Sequence, residues 1–148
     1  MSIPHPIPYQ GSKRLLAGAI LSYAPRSFAR LIEPFAGSAA VSLAAAHRRH
    51  FQAFHINDSL DPLVGIWRYI LDDPDYLASR YSEIWHEQIG QSEEHYYKIR
   101  AEFNIDRDPV KLLYLLARCV KNAVRFNQSG EFVAPPVHWT SPWLNQAA

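Results

Sequence analysis

Two consecutive strand–turn–helix units near the start of this chain constrain its fold more than any other feature. Leu31-Ile32-Glu33-Pro34-Phe35 is short and apolar and runs through Gly37 into an alanine-rich stretch, Ser38 to His47, that favours helix. Phe51 to Ile56 then reads as a second strand ending at Asn57-Asp58, followed by a helix from Pro62 to Leu71 with Asp61 as its expected cap. Strands alternating with helices imply a parallel sheet, because two parallel neighbours need a crossover between them. Such a sheet gathers ligands beyond the carboxyl ends of its strands. Gly37 and Asp58 therefore border one crevice, although 21 positions separate them.

The residue types at those two strand ends suit an adenosine-containing ligand. Gly37 lets the backbone approach a bound group closely, and the helix after it directs free amides toward the same place. A carboxylate at Asp58 is placed to accept hydrogen bonds from two ribose hydroxyls. Taken singly each signal is weak, since a glycine after a strand is common and an aspartate there more often serves a turn or a helix cap.

The flanking segments complete the layout. Pro4, Pro6 and Pro8 punctuate the start, and Leu15, Leu16, Ala19, Ile20 and Tyr23 mark a helix over Ser12 to Tyr23 with Ser12 as a candidate N-cap. Beyond Pro74 the pattern is helical throughout, over Tyr76 to Gln88, Glu93 to Phe103, and Val110 to Val120 with Pro109 at its start. Leu112, Leu113, Leu115 and Leu116 read as core. The chain has 148 residues, enough for one domain with a real core. Its net charge of +1 exerts no global pull on nucleic acid, so DNA contact requires a local basic patch. Lone Cys119 forms no internal disulfide and sits in an apolar segment, and neither a signal peptide nor a membrane span is recognisable. The expectation is a cytoplasmic protein that needs no metal.

Five blocks in a fixed order carry a more specific resemblance. They are Tyr9-Gln10-Gly11-Ser12-Lys13; Glu33-Pro34-Phe35-Ala36-Gly37-Ser38-Ala39; Ile56-Asn57-Asp58; Tyr96-Tyr97 with Arg100 and Phe103-Asn104; and Asn122 through Arg125-Phe126-Asn127 to Gly130-Glu131-Phe132. Together they resemble the Dam-type DNA adenine-N6 methyltransferase family, over nearly the whole chain up to Pro135. The resemblance implies an α/β, incomplete Rossmann-like S-adenosylmethionine-dependent methyltransferase fold with a helical target-recognition region. It divides the chain into a cofactor-binding half-domain (1–72), a recognition region (73–135) and a tail (136–148). It implies that Tyr9, Lys13, Gly37 and Asp58 bind S-adenosylmethionine, and that Lys121, Asn122 and Arg125 contact double-stranded DNA. Between Lys98 and Arg125, seven Lys or Arg stand against Glu102, Asp106 and Asp108, a surplus able to meet phosphates. Two departures fall in the cofactor motifs: Ser12 and Ala39 stand where the family carries glycine. In the recognition segment, Lys121 precedes Asn122 where an aromatic is common.

The family's catalytic motif, Asp-Pro-Pro-Tyr, is missing. Ala134-Pro135-Pro136-Val137 lacks both its acid and its aromatic and reads as a structural proline pair. No catalytic residue is therefore expected within these residues. The favoured reading is a split enzyme, in which a second polypeptide supplies the catalytic half. Alternatives are a noncatalytic DNA- or cofactor-binding regulator and a truncated, inactive methyltransferase. Trp139, Trp143 and Leu144 could cap the core or dock on another chain.

Overall fold

A computed structural model describes residues 3–24, 28–48 and 51–137. Trp139, Trp143 and Leu144 lie outside these residues. The elements in order are α1 (Ala17–Ser22), β1 (Phe28–Glu33), α2 (Ala40–His47), β2 (Phe51–Ile56), α3 (Asp61–Asp72), α4 (Pro74–Glu87), α5 (Ser92–Asp106), α6 (Pro109–Arg118) and a 3₁₀ turn (Val120–Asn122). β1 and β2 pair in parallel, with Leu31 opposite Phe54 and Glu33 opposite Ile56. The architecture is an incomplete Rossmann-like α/β arrangement of two strands, followed by a helical bundle.

The helix starts obey local chemistry where the chain supplies it. Asp108 accepts hydrogen bonds from the amides of Val110 (2.7 Å) and Lys111 (3.2 Å) at the start of α6. Asp73 accepts one from Tyr76 at the start of α4, and a proline occupies the first turn of both helices. Two expected caps differ. Asp61 is the first residue of α3 rather than its cap, because the Leu60 carbonyl already accepts from the amides of Leu63 (2.9 Å) and Val64 (3.2 Å) and so starts the helix one residue earlier. Ser12 caps nothing: α1 begins at Ala17, with the Lys13 carbonyl accepting from Leu16 and Ala17.

α6 is the centre of the packing and touches α3, α4 and α5. Leu112, Leu115 and Leu116 are fully buried there with Leu63, Ile66, Tyr96, Phe103 and Phe132, as the leucine pattern requires. Burying each such aliphatic side chain contributes roughly 1.5–3 kcal/mol. Tyr96 anchors the return of the chain by donating to the Ala134 carbonyl at 2.8 Å. Burial raises the Tyr114 phenol to about 12, and its hydroxyl meets Gln88 Oε1, which also accepts from Arg118 Nε. A second, smaller cluster joins Ala17 and Leu21 of α1 to Ala44 and Ala45 of α2.

The sheet is less covered than the helices. Arg30 pairs with Ala53 and Ile32 with His55, and all four are exposed, Ile32 by 62%. Leu15, Leu16 and Tyr23 beside α1 are exposed as well. Among the described residues no helix is long and apolar enough to cross a membrane.

Candidate cofactor site

The two strand ends are stitched together before any side chain enters. Asn57 donates its amide to the Glu33 carbonyl (3.0 Å), and Ala36 donates to the Asn57 carbonyl (2.8 Å), so the parallel ladder continues past both strands. The chain turns at Gly37, whose φ of +49° lies in the left-handed region that glycine enters without strain. Its amide then donates to Asp58 Oδ2 at 2.9 Å. With Leu60 on Oδ1, the Asp58 carboxylate bridges the first turn and the second strand end. A carboxylate offers about four lone-pair sites, so roughly two remain for a ligand's hydroxyls.

Tyr9 closes over this turn. A Cβ added to Gly37 would stand 3.2 Å from Tyr9 Cε1, so the ring fills the space a side chain would need. Burial raises the Tyr9 phenol above its ordinary value, and the Asp58 carboxylate adds to the rise. Ser38 Oγ donates to Ser12 Oγ at 2.7 Å, tying the glycine turn to the opening loop, and Trp67 Nε1 donates to the Gly37 carbonyl at 2.9 Å. A cavity of about 360 Å³ opens beside Tyr9, with Ile7, Ser12 and Arg14 among its walls.

Ala39, where a glycine was expected from the resemblance, has φ +47° and leads into α2 without a side-chain cap. Glu33 compensates from the end of β1: its Oε2 accepts both the amide (3.1 Å) and the hydroxyl (2.6 Å) of Ser42. An anion near a helix N-terminus is favoured by the helix dipole.

The structure thus brings Tyr9, Gly37 and Asp58 together. Lys13 shares their loop, but its exposed ammonium donates to the Gly11 carbonyl at 2.8 Å and reaches neither Gly37 nor Asp58. Asn122 lies closer to the opening loop than its sequence position suggests. Its carbonyl accepts from Gln10 (2.9 Å), while its side-chain amide donates to the Leu116 carbonyl (2.8 Å). Lys121 and Asn122 both hold positive φ, +61° and +51°, and Lys121 is exposed. Arg125 is exposed at the base of a hairpin in which Phe126 bridges Phe132 and Gly130 donates to the Asn127 carbonyl. The basic surplus is smaller than the count suggests. Lys111 is held by Glu102 (2.9 Å) and Asp106 (2.5 Å), and Arg118 is buried over the Trp85 ring.

A family model described as D12 class N6 adenine-specific DNA methyltransferase matches residues 9–147. This chain belongs to that family. It is 28% identical over 142 residues to the Retron Ec67 DNA adenine methylase of Escherichia coli, an alignment covering 92% of this chain and 47% of the relative. It is 33% identical over 144 residues to a DNA adenine methylase of Salmonella typhi, covering 94% of this chain and 49% of the relative. The Type II methyltransferase M.MjaIII of Methanocaldococcus jannaschii is 29% identical over 124 residues, 76% of this chain and 43% of that protein. The chain spans about half the length of the curated relatives it matches.

Within this family frame, residues that local patterns do not single out support the turn. Glu33 was visible only as part of the glycine motif, and nothing in its neighbourhood signals that it caps α2. Trp67 reads as an ordinary apolar position of α3, with only its indole N–H hinting at a required partner. The contact of Asn122 with Gln10 spans 112 positions and leaves no periodic trace.

Proposed function

We propose that residues 1–148 form the S-adenosylmethionine-binding half of a site-specific DNA adenine-N6 methyltransferase whose Asp-Pro-Pro-Tyr motif and remaining strands lie outside these residues. The observation that carries this reading is the Asp58 carboxylate, bridged to the Gly37 amide at 2.9 Å under the Tyr9 ring, at the carboxyl ends of two parallel strands. That arrangement fits the cofactor's chemistry. Asp58 retains lone pairs for the ribose, Gly37 leaves the backbone accessible, and Tyr9 offers an aromatic face to a sulfonium. Lys13 would pair with the methionine carboxylate after releasing the Gly11 carbonyl. S-adenosylmethionine supplies the methyl group when bound, and the target adenine would be turned out of the duplex to meet it.

In this reading 1–72 is the cofactor half-domain, 73–135 the target-recognition region and 136–148 a tail. Lys121 and Arg125 contact DNA, and Asn122 fixes the turn that presents Lys121 while holding the cofactor loop. The exposed sheet face at Arg30, Ile32, Ala53 and His55, with the apolar residues beside α1, is the surface on which the catalytic half packs. An unpaired strand edge beside exposed apolar side chains is a liability that proteins normally cover.

The test is complementation in solution. This chain is mixed with a separately purified second half, taken from a D12 family methyltransferase and carrying Asp-Pro-Pro-Tyr, and transfer of labelled methyl groups to adenine in duplex DNA is followed. Transfer requiring both polypeptides is expected. Transfer by residues 1–148 alone would overturn this division of roles, and no transfer from the folded pair would overturn the proposal.

A further inference from the structure

A second cleft, distinct from the Tyr9 cavity, lies between the start of α3 and the hairpin. It encloses about 580 Å³, and its walls include Leu60, Arg68, Arg107, Pro109, Phe126 and Gly130. Its two cations differ in how they are held. Arg68 lies two turns along α3 from Asp61, the one acid in the lining, and it is exposed and enters no hydrogen bond or ion pair among the described residues. Arg107 is built in. It terminates α5 at φ +57°, a left-handed conformation costing a non-glycine residue roughly 1–2 kcal/mol, and its guanidinium lies over the Phe103 and Phe126 rings. One of its nitrogens donates to the Gly130 carbonyl at 2.6 Å, leaving others free.

The hairpin wall is fixed from a second side. Asn104 exchanges two hydrogen bonds with the Phe132 backbone, accepting its amide at 2.7 Å and donating to its carbonyl at 3.2 Å. The asparagine side chain thereby acts as the strand neighbour that the hairpin lacks. A preformed concave wall, one guanidinium stacked on two rings and one unengaged guanidinium suit a tetrahedral oxyanion better than a neutral ligand.

We propose that this cleft seats one backbone phosphate of the DNA duplex, bound by Arg68 and Arg107, so that the strand being read is anchored immediately beside the Asp58–Leu60 loop. The inference rests on the DNA reading above and adds a positional contact that carries no sequence information. It is tested by fluorescence anisotropy of this chain with several duplexes of different sequence over a range of salt. Arg68→Ala should weaken binding about equally for every sequence and make the slope of log K against log salt shallower by about 0.9, the release expected for one phosphate contact. Arg68→Lys should restore the slope. Thermal unfolding of Arg68→Ala should match the parent, since the side chain is exposed. Parent-level affinity and slope in Arg68→Ala, or weakening without a change of slope, would overturn the phosphate site while leaving the DNA reading in place. Absence of duplex binding by the parent chain itself, even at low salt, would overturn both.

Discussion

Replacing Asp58 by asparagine isolates the bridge on which the cofactor site depends. The carboxylate satisfies two backbone amides with two oxygens, Gly37 at 2.9 Å and Leu60 at 3.2 Å. A carboxamide has one oxygen and one donor group, so whichever way it turns, one amide faces an N–H₂ and loses its acceptor. Leaving a buried donor unsatisfied costs roughly 1–3 kcal/mol; Asp58 is half-buried, so water recovers part and the expected loss is about 1–2 kcal/mol. For a chain of this size that is a fall in Tm of about 2–8 °C. Asp58→Ala removes both acceptors and should fall further. Urea unfolding and thermal scans of the three proteins give the order directly. An asparagine variant within about 0.5 kcal/mol of the parent, or an alanine variant no worse than the asparagine one, would refute the argument that this carboxylate ties the two strand ends.

Other sites give independent expectations. Cys119 is 1% exposed and burial raises its thiol, so a thiol reagent at neutral pH should leave the folded chain unlabelled and react on denaturation; rapid labelling of the native protein would contradict the packing of α6. Burial is the largest single influence on Asp106 and opposes its charge, but the hydrogen bond and charge of Lys111 together with backbone amides outweigh it and lower the carboxyl below its ordinary value. A depressed carboxylate contributes stability above its unfolded value and loses it as pH falls through the folded one. Lys111→Met should therefore reduce stability at neutral pH and flatten the acid limb below about pH 4, as read by urea midpoints across pH. Gly65→Ala would place a methyl group 2.5 Å from Pro109 Cγ. Overpacking where α3 meets α6 costs about 1–3 kcal/mol against a helix-propensity gain of about 1, so a net loss is expected and an unchanged Tm would contradict the close approach.

What the sequence made legible was whatever is decided locally. β2 occupies Phe51–Ile56 as read from the sequence, β1 and β2 are parallel as the alternation requires, and the leucines of α6 are buried as their crowding suggests. The element ends were harder, because distant groups decide them. α6 stops at Arg118 rather than Val120 because Cys119 turns extended to bridge Pro136, a pairing that no window around residue 119 contains. α5 continues past Phe103 to Asp106 and ends on an arginine in the left-handed region, where a reader expects glycine. At the site, Gly37 and Asp58 were inferable because strand ends in a parallel sheet converge. The clasp of Gln10 by Asn122 and the capping of α2 by Glu33 were not, since each joins segments whose own patterns are satisfied without the other.

Calorimetric titration of S-adenosylmethionine into this chain, the parent beside Asp58→Asn and Lys13→Ala, tests the central claim most directly. Saturable binding by the parent that Asp58→Asn weakens at least tenfold, in a variant still folded at the titration temperature, is the predicted result; weakening in Lys13→Ala would add the ammonium to the site. Equal binding by the parent and Asp58→Asn, or no binding by a folded parent with or without its complementary half, would contradict the assignment of a cofactor site to these strand ends.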